Sequence, residues 1–124
     1  MSLSEFIIND LTPSSTETLV GELHDIFKGL TYSHIPVLKK GTYLGCLSET
    51  DVFCFESKDK VNDVKYAIET FYVRNSTLWL NILKAFAEND SNIMPVLDKE
   101  NNYLGYYRLN DIISMFNNIP FFYE

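Results

Sequence analysis

The sequence repeats itself once, and this internal repeat limits the possible folds more than any other feature. Ten residues of the first copy recur in the second at a spacing of 59 or 60 positions. Unrelated sequences of average composition would share roughly two residues over the same length. A unit of about 45 residues cannot bury its own helices, so we expect the two copies to share one core. The matching positions begin at Thr18, Phe27, Pro36, Tyr43 and Asp51 in the first copy and at Thr77, Phe86, Pro95, Tyr103 and Asp111 in the second.

Each copy is predicted to fold as a helix, two strands and a second helix. Apolar residues recur with helical spacing from 19 to 30 and from 78 to 86, which predicts the first helix of each copy. Two short apolar runs follow, and polar turn residues join them, which is typical of a β-hairpin. The nearly continuous apolar character of these runs predicts strands covered on both faces. The expected helix N-caps are Thr16 or Thr18 and Ser76 or Thr77, and the second helices are expected to begin near Ser48 and Asn110.

The segment between the copies is polar from 54 to 65 and then turns apolar. Apolar residues recur with helical spacing from Val61 to Phe71, which predicts a linking helix that crosses back before the second copy. A short extended segment is expected to lead into each copy, near 11–13 and near 71–73.

Charge and cysteine usage exclude several classes of protein. The net charge is −7, with ten basic against seventeen acidic residues, so the chain lacks the basic surface that nucleic acid binding requires. No apolar run approaches the ~20 residues that span a bilayer, so we expect no membrane-spanning segment. Cys46 and Cys54 form no C-x-x-C pair and follow no secretory signal, which favours reduced thiols and a cytoplasmic location.

Two short motifs occur in the same order in both copies. A strand with the sequence hydrophobic-Pro-Val precedes the hairpin turn, and a G-h-h-S/T-x-x-D segment leads into the second helix. In the first copy the motifs are Ile35-Pro36-Val37 and Gly45-Cys46-Leu47-Ser48-Glu49-Thr50-Asp51, and in the second they are Met94-Pro95-Val96 and Gly105-Tyr106-Tyr107-Arg108-Leu109-Asn110-Asp111. Taken together and present twice, this arrangement resembles the CBS-domain pair, a module first named in cystathionine β-synthase.

The resemblance implies an α/β fold of the α+β type, in which two CBS repeats pack sheet to sheet with pseudo-two-fold symmetry. The first repeat would span 1–58, and 59–124 would hold the linking helix, the second repeat and an apolar C-terminal tail. A regulatory module rather than an enzyme is implied, because family members sense small ligands on behalf of an effector domain. The expected ligands are AMP, ADP, ATP or S-adenosylmethionine, and a further effector domain in the full-length protein is an expected partner.

The resemblance also implies two sets of ligand-binding residues. In family members that bind nucleotide, the last motif's aspartate holds ribose hydroxyls, and the serine or threonine three residues earlier helps with ribose or phosphate. Backbone beside the hydrophobic-Pro-Val strand contacts the adenine. The implied residues are Ser33, His34, Ile35, Pro36, Ser48 and Asp51 in the first copy, and Asn92, Ile93, Met94, Pro95, Arg108 and Asp111 in the second.

The Ser48-x-x-Asp51 segment has two possible roles. A helix N-terminus offers unpaired N–H groups that suit phosphate, and the Asp51 carboxylate can accept hydrogen bonds from two ribose hydroxyls. The same spacing also resembles a capping box, in which side chain and backbone satisfy each other for about 1 kcal/mol. The sequence leaves both roles open, and one residue could have both.

The second copy departs from the pattern at Arg108, which stands where the first copy has Ser48. A guanidinium group could bind a phosphate through two hydrogen bonds, or it could fill the cavity and close it. It could equally remain in solvent and pair with Asp111. The second site is therefore less suited to ribose and better placed for phosphate.

Catalytic and metal-binding patterns are missing from the sequence. His24 and His34 have no Cys or His partner at metal-ligand spacing, and the sequence contains neither G-x-x-x-x-G-K-S/T nor G-x-G-x-x-G. No nucleophile is predicted near a base. We therefore expect neither enzyme activity nor a metal site, and His34 is either a contact beside an adenine pocket or a strand-edge histidine.

Two incomplete units with an apolar tail predict a homodimer. We expect its interface near Val52-Phe53 and from Ile112 to Phe116, with Phe121 and Phe122 covered in the process. The alternative function follows from the same features: a degenerate pair that binds no small ligand and serves as a dimerisation or docking element. Most other aromatic residues lie at helix and strand spacing and are expected in the core.

Overall fold

The structure, a computed structural model, describes residues 3–117 and consists of two repeats with the same order of elements. The predicted apolar tail, with Phe121 and Phe122, lies outside the described residues. The first repeat contains β1 (Ser14–Ser15), α1 (Val20–Lys28), β2 (His34–Lys39), β3 (Thr42–Ser48) and α2 (Glu49–Val52). The second contains β4 (Val73–Arg74), α3 (Trp79–Asn89), β5 (Ile93–Leu97), β6 (Tyr103–Arg108) and α4 (Leu109–Asn117). Two short 3-10 helices, Ser4–Phe6 and Val61–Ala67, precede the repeats.

Each repeat forms one three-stranded sheet, in the order β1-β2-β3 and β4-β5-β6. The first pairing of each sheet is parallel and the second is an antiparallel hairpin. The register repeats as well, because Pro36 lies opposite Cys46 and Pro95 lies opposite Tyr106. The predicted α+β fold with two matching repeats is confirmed. The leading strands lie one to three residues later than the segments predicted near 11–13 and 71–73.

The predicted N-caps of the first helices are wrong. Leu19 and Leu78 occupy the cap positions of α1 and α3. The Thr18 and Thr77 hydroxyls instead accept hydrogen bonds from the N–H groups of Ser15 and Arg74, at 2.9 and 2.8 Å, and so fold the turn before each helix. In α1 the first N–H groups donate to linker carbonyls, with Val20 N to Asp59 O at 2.8 Å and Gly21 N to Ser57 O at 3.0 Å. A side-chain cap is unnecessary where the linker supplies acceptors.

The predicted linking helix is also wrong in type and length. The segment forms a 3-10 helix that is kinked at Val64, and from Ile68 onward the chain is extended. This extension lets Glu69 pair with Cys46 at the free edge of β3, through backbone hydrogen bonds of 2.8 and 2.9 Å. Near the N-terminus, Ile8 pairs in the same way with Tyr106 of β6. Each sheet is thus completed by the segment that leads into the other repeat.

Gly45 and Gly105 occupy the positions where these segments cross. Both have positive φ, +151° and +134°, which side chains rarely adopt. A Cβ atom on Gly45 would lie 2.6 Å from the carbonyl oxygen of Glu69, and one on Gly105 would meet the carbonyl oxygen of Ile8. The glycine of the repeated motif is therefore required by the close approach of the crossing segment.

The core joins the two repeats. One cluster of buried residues belongs to the first repeat and the linker, whereas a larger one combines Tyr43 and Cys46 of the first repeat with residues of the second. The rings of Tyr43 and Tyr103 stack at 5.9 Å across the contact. Among the described residues, no helix has the length and apolar character needed to cross a membrane.

Candidate functional site

Two cavities of about 300 Å³ each lie where the repeats meet, and we name them the first and second cleft. The first cleft is lined by Ser33, His34, Ser48, Thr50, Glu69, Asn89 and Asp90. The second cleft is lined by Thr31, Tyr32, Asn92, Arg108, Asn110 and Asp111. Each cleft takes its main wall from one repeat and a smaller part from the other.

The clefts are equivalent under the repeat symmetry. The spacing of 59 or 60 relates Ser33 to Asn92, Ser48 to Arg108 and Thr50 to Asn110. It also relates the residue that closes each cleft from the opposite repeat, which is Asp90 in the first cleft and Thr31 in the second. The two clefts can therefore be compared position by position.

Ser33 and Asn92 bind each other at the boundary between the repeats. Ser33 N donates to Asn92 Oδ1 at 2.8 Å, and Asn92 N donates to Ser33 Oγ at 3.0 Å. The Asn92 amide also donates to Thr31 O at 2.8 Å. These polar groups were predicted to contact ligand, but the structure uses them to join the repeats on their symmetry axis.

His34 is the central side chain of the first cleft and is 5% exposed. Its Nδ1 lies 2.7 Å from Ser33 Oγ, and its Nε2 lies 3.4 Å from the Glu69 carboxylate. The ring also packs edge-on against Phe71 at 5.4 Å. Burial lowers the pKa of His34, and the neighbouring Glu69 carboxylate opposes this effect. The imidazole is therefore held in place at both nitrogens.

The start of α2 is already capped from within the protein. Ser48 Oγ accepts a hydrogen bond from Asp51 N at 3.1 Å, and Ser33 O accepts one from Glu49 N at 2.9 Å. The helix has four residues. Its amide groups therefore do not form the open phosphate site that the sequence allowed, although the Asp51 carboxylate plays no part in the Ser48 cap.

Acidic side chains surround the first cleft. Glu69 and Asp90 line it, and the charge of Asp51 also reaches His34. Of the described residues that line this cleft, none is Lys or Arg. With His34 neutral, the cleft has a negative potential that disfavours additional anionic charge.

The second cleft carries an ion pair instead. Arg108 Nε donates to Asp111 Oδ2 at 2.7 Å, and the two side chains are 41% and 29% exposed. This hydrogen bond, followed by the contact with Tyr32, raises the pKa of Arg108 further above its ordinary value. The two charges largely neutralise each other, so Asp111 is less available to ribose than Asp51.

Tyr32 lines the second cleft and contacts a second tyrosine, the buried Tyr106. The Tyr106 hydroxyl donates to Asp10 Oδ1 at 2.5 Å and lies 3.1 Å from the Tyr32 hydroxyl. The two rings meet edge to face at 5.5 Å. Burial raises the pKa of Tyr106, so the phenol stays protonated.

The remaining predicted contacts lie deeper than either cleft. Ile35, Pro36, Ile93, Met94 and Pro95 are buried in the strands, and their side chains belong to the core. They do not line the cavities. The resemblance implied contact through the backbone beside these strands. Of the residues predicted in β2 and β5, only His34 lines a cleft.

Sequence reasoning did not identify Tyr32, Glu69 or Asp90 as cleft residues. Tyr32 and Asp90 come from the repeat opposite the motif, and Glu69 comes from the crossing segment, so no motif spacing marks them. Tyr106, which contacts Tyr32, lies inside the repeated motif. The change from Cys46 in the first copy to tyrosine in the second was the signal that could have pointed to it.

Within the described residues, no group of three acidic, Cys or His side chains could hold a metal ion together.

His24 contacts Val52 O at 2.7 Å and stacks on Phe53 at 5.1 Å, so it joins α1 to α2. Cys46 and Cys54 are free thiols, and burial raises the pKa of Cys46 to about 12.

Known proteins resemble this chain in both sequence and fold. A sequence model of the CBS domain family matches residues 4–57. No curated protein sequence matches the chain. A CBS domain pair/ACT domain protein from Thermotoga maritima superposes with a TM-score of 0.80 at 20% identity, covering 94% of this chain and 97% of the other. The CBS pair domain of a putative Mg²⁺ transporter from Shewanella oneidensis superposes with a TM-score of 0.81 at 15% identity, covering 99% and 72%.

Several proteins with this fold were solved with nucleotides. CBSX2 in complex with AMP superposes with a TM-score of 0.77 at 17% identity, covering 96% of this chain and 98% of the other. The cytosolic domain of the Mg²⁺ channel MgtE was solved with ATP, and CbpB was solved with c-di-AMP. The expected resemblance is confirmed: residues 4–57 match the CBS domain family model, and the two repeats together have the fold of a CBS-domain pair.

Proposed function

We propose that this chain is a regulatory module and that its first cleft binds an adenosine-containing ligand. The observation that carries the proposal is the composition of the first cleft, a cavity of about 300 Å³ between the repeats. His34 lies on its strand side, and Ser48 and Thr50 lie on its helix side. A ligand in this position would contact both repeats and could change how they pack against each other.

Asp51 is suited to hold the ribose. Its amide is satisfied by Ser48 Oγ, so the local turn is fixed without the carboxylate. An ionised carboxylate accepts hydrogen bonds at both oxygens and matches two adjacent hydroxyl donors. Because Asp51 is partly buried, these bonds would form away from bulk water.

The strand side of the cleft is suited to a base. The buried His34 offers an aromatic edge, and the Glu69 carboxylate at the rim can accept a hydrogen bond from an exocyclic amino group. Such a group is present on adenine at the position where guanine has an oxygen. Glu69 can therefore bind the 6-amino group of adenine, and comparison with guanine, which donates from its 2-amino group instead, tests whether the cleft selects adenine.

The acidic surroundings favour ligands with few phosphates. Glu69, Asp90 and Asp51 all lie near His34, and none of the described lining residues is basic. Each phosphate adds negative charge that these carboxylates repel. We expect adenosine, AMP and the cationic S-adenosylmethionine to bind more tightly than ADP or ATP. Proteins of the same fold solved with AMP, ATP and c-di-AMP support an adenine ligand in general.

A thermal-shift panel tests the proposal. Adenosine, AMP, ADP, ATP and S-adenosylmethionine are compared with guanosine and GMP on the full chain. A ligand at about 100 times its Kd adds ~2.7 kcal/mol, which corresponds to about 10 °C for a domain of this size.

Two variants link the shift to the cleft. Asp51→Asn should remove most of the shift, whereas Asp25→Asn, an exposed carboxylate on α1, should leave it unchanged. A flat panel at millimolar ligand would reject the proposal. A shift that survives Asp51→Asn would place the ligand elsewhere.

A second candidate function is assembly through a homodimer. The observation that favours it is the apolar surface at Leu78, Leu80 and Ile113, which are 71%, 61% and 42% exposed. Of the interface predicted from the sequence, Val52 and Ile112 are fully buried within the chain and cannot contribute. Light scattering at tens of micromolar should give twice the chain mass, and Ile113→Asp should restore a monomer because an unpaired charge is costly to bury. A monomeric parent chain would reject this function.

A further inference from the structure

Tyr32, which lines the second cleft, and Tyr106, which contacts it, stand where the repeat symmetry gives small residues. The repeat symmetry relates Tyr32 to Ser91 and Tyr106 to Cys46. Side chains two residues apart share a face of a strand, so Tyr106 lies on the same face of β6 as Arg108. Its hydroxyl contacts Tyr32, which lines the same cleft as Arg108.

The tyrosine pair is fixed on several sides. Tyr106 is fully buried, and its hydroxyl contacts Asp10 at 2.5 Å and Tyr32 at 3.1 Å. Asp10 follows Ile8, which is itself paired with Tyr106 through the backbone. At the equivalent positions, Cys46 of the first repeat carries a small thiol, and Ser91 Oγ of the second repeat donates back to Ile93 O at 2.6 Å.

The two clefts reach different depths as a result. The first cleft extends to the hydrophobic-Pro-Val strand, because His34, the first residue of β2, lines it. The second stops at Asn92, and no described residue of β5 lines it. Tyr32 lines the second cleft with the buried Tyr106 packed against it, whereas Arg108 on the polar side is partly exposed.

We propose that Tyr32 and Tyr106 close the base-binding half of the second cleft, so that each chain takes up one nucleoside ligand, in the first cleft. This inference rests on the proposed function for its ligand class. By this inference, two residues outside the predicted site determine which cleft binds the ligand. The repeat symmetry also identifies the substitutions that should reverse the choice.

The test replaces the two tyrosines with the small residues found at the equivalent positions of the other repeat. Isothermal titration calorimetry with adenosine and AMP compares the parent chain with the double variant Tyr32→Ser/Tyr106→Cys. We expect one site per chain in the parent and two in the double variant. Adding Asp51→Ala to the double variant should remove the first-cleft site and return the count to one.

A matched control keeps the rings and removes only the hydroxyls. Tyr32→Phe/Tyr106→Phe should still bind one ligand per chain, because closure depends on the ring volume. If circular dichroism shows that the double variant is unfolded, the single variants Tyr32→Ser and Tyr106→Cys and the Asp51→Ala chain are used to test closure instead. Closure predicts that Asp51→Ala alone abolishes binding, and residual binding at parental affinity would overturn it.

The outcomes separate this inference from the proposed function. A parent chain that binds no nucleoside, with a double variant that binds one, would reject the proposed function and support closure. Two sites in the parent would overturn closure while supporting the function. A folded double variant that gains no site would also overturn closure.

Discussion

The first and second clefts occupy the same positions of a repeated fold, yet they offer a ligand different surroundings. The first contains a buried histidine among carboxylates, and the second contains an Arg108–Asp111 ion pair beside two tyrosines. The backbone of the two repeats matches down to the register of the hairpins. The comparison teaches that the fold determines where a cleft can form, while a few side chains determine the charge and the lining of each cleft.

The repeats agree most closely at the two crossing glycines, and the largest effect is expected there. Gly45→Ala and Gly105→Ala should each lower the free energy of unfolding by about 3 kcal/mol or more, because a Cβ atom must displace backbone. Gly29→Ala is the matched control, since its φ is −99° and the nearest atom to a Cβ is 3.8 Å away. It should change stability by less than about 1 kcal/mol. Urea denaturation provides the measurement.

An equal effect of Gly45→Ala and Gly29→Ala would contradict the crossing arrangement. It would mean that the Ile68–Glu69 segment does not lie against β3. A large effect in only one repeat would show that the two crossings differ in strength despite their matching geometry.

The two repeats should contribute differently to the pH dependence of stability, because the residue equivalent to His34 in the second repeat is the apolar Ile93. Burial lowers the pKa of His34 in the folded protein, so the unfolded chain binds this proton more tightly. The stability that the neutral ring contributes is present above the unfolded value of about 6.5 and is lost as the pH falls below it. The slope from one group is at most about 1.4 kcal/mol per pH unit.

His34→Ile, which copies the second cleft into the first, should flatten stability between pH 7.5 and pH 5.5. Glu69→Gln should have the opposite effect, because the carboxylate that opposes the lowered pKa is gone. Urea denaturation at several pH values measures both slopes. A parent and a His34→Ile variant with identical slopes would show that the His34 pKa is not lowered by folding.

The fold could be predicted from the sequence largely because it occurs twice. The ten matching residues placed the hairpins, and the apolar runs of β2 and β5 indicated strands covered on both faces. The linking helix could not be predicted correctly, because helical spacing from Val61 to Phe71 also suits a 3-10 turn followed by an extended segment. Only tertiary pairing of Glu69 with Cys46 decides between these possibilities.

The site was less predictable than the fold for a related reason. Motif spacing located Ser48, Arg108 and Asp111, each of which lines the cleft of its own repeat, whereas Asp51 reaches the first cleft only through its charge near His34. It could not show that Ser33 and Asn92 bind each other, because that contact depends on how the repeats meet. Tertiary contacts between repeats leave no periodic signal in a sequence.

A smaller effect is expected at the cap of the first cleft. Ser48→Ala should lower the free energy of unfolding by about 1 kcal/mol, because Asp51 N loses its acceptor. Ser76→Ala is the matched control, since this serine is exposed and lies outside the cap position of α3. It should change stability by no more than about 0.5 kcal/mol. Equal values for the two variants would show that the Ser48 cap does not stabilise the protein.

The smallest change in the free energy of unfolding is expected at Arg108, the counterpart of Ser48, because two contributions oppose each other there. Arg108→Ser breaks the ion pair with Asp111, and pairs as exposed as this one contribute about 0–1 kcal/mol. The new hydroxyl can cap α4 as Ser48 caps α2, which returns about 1 kcal/mol. We expect a net change within about 0.5 kcal/mol in urea denaturation. Added salt should weaken the parent slightly more than the variant, since salt screens only the ion pair. A loss of about 2 kcal/mol or more would instead show that Arg108, through Tyr32, holds the wall of the second cleft in place.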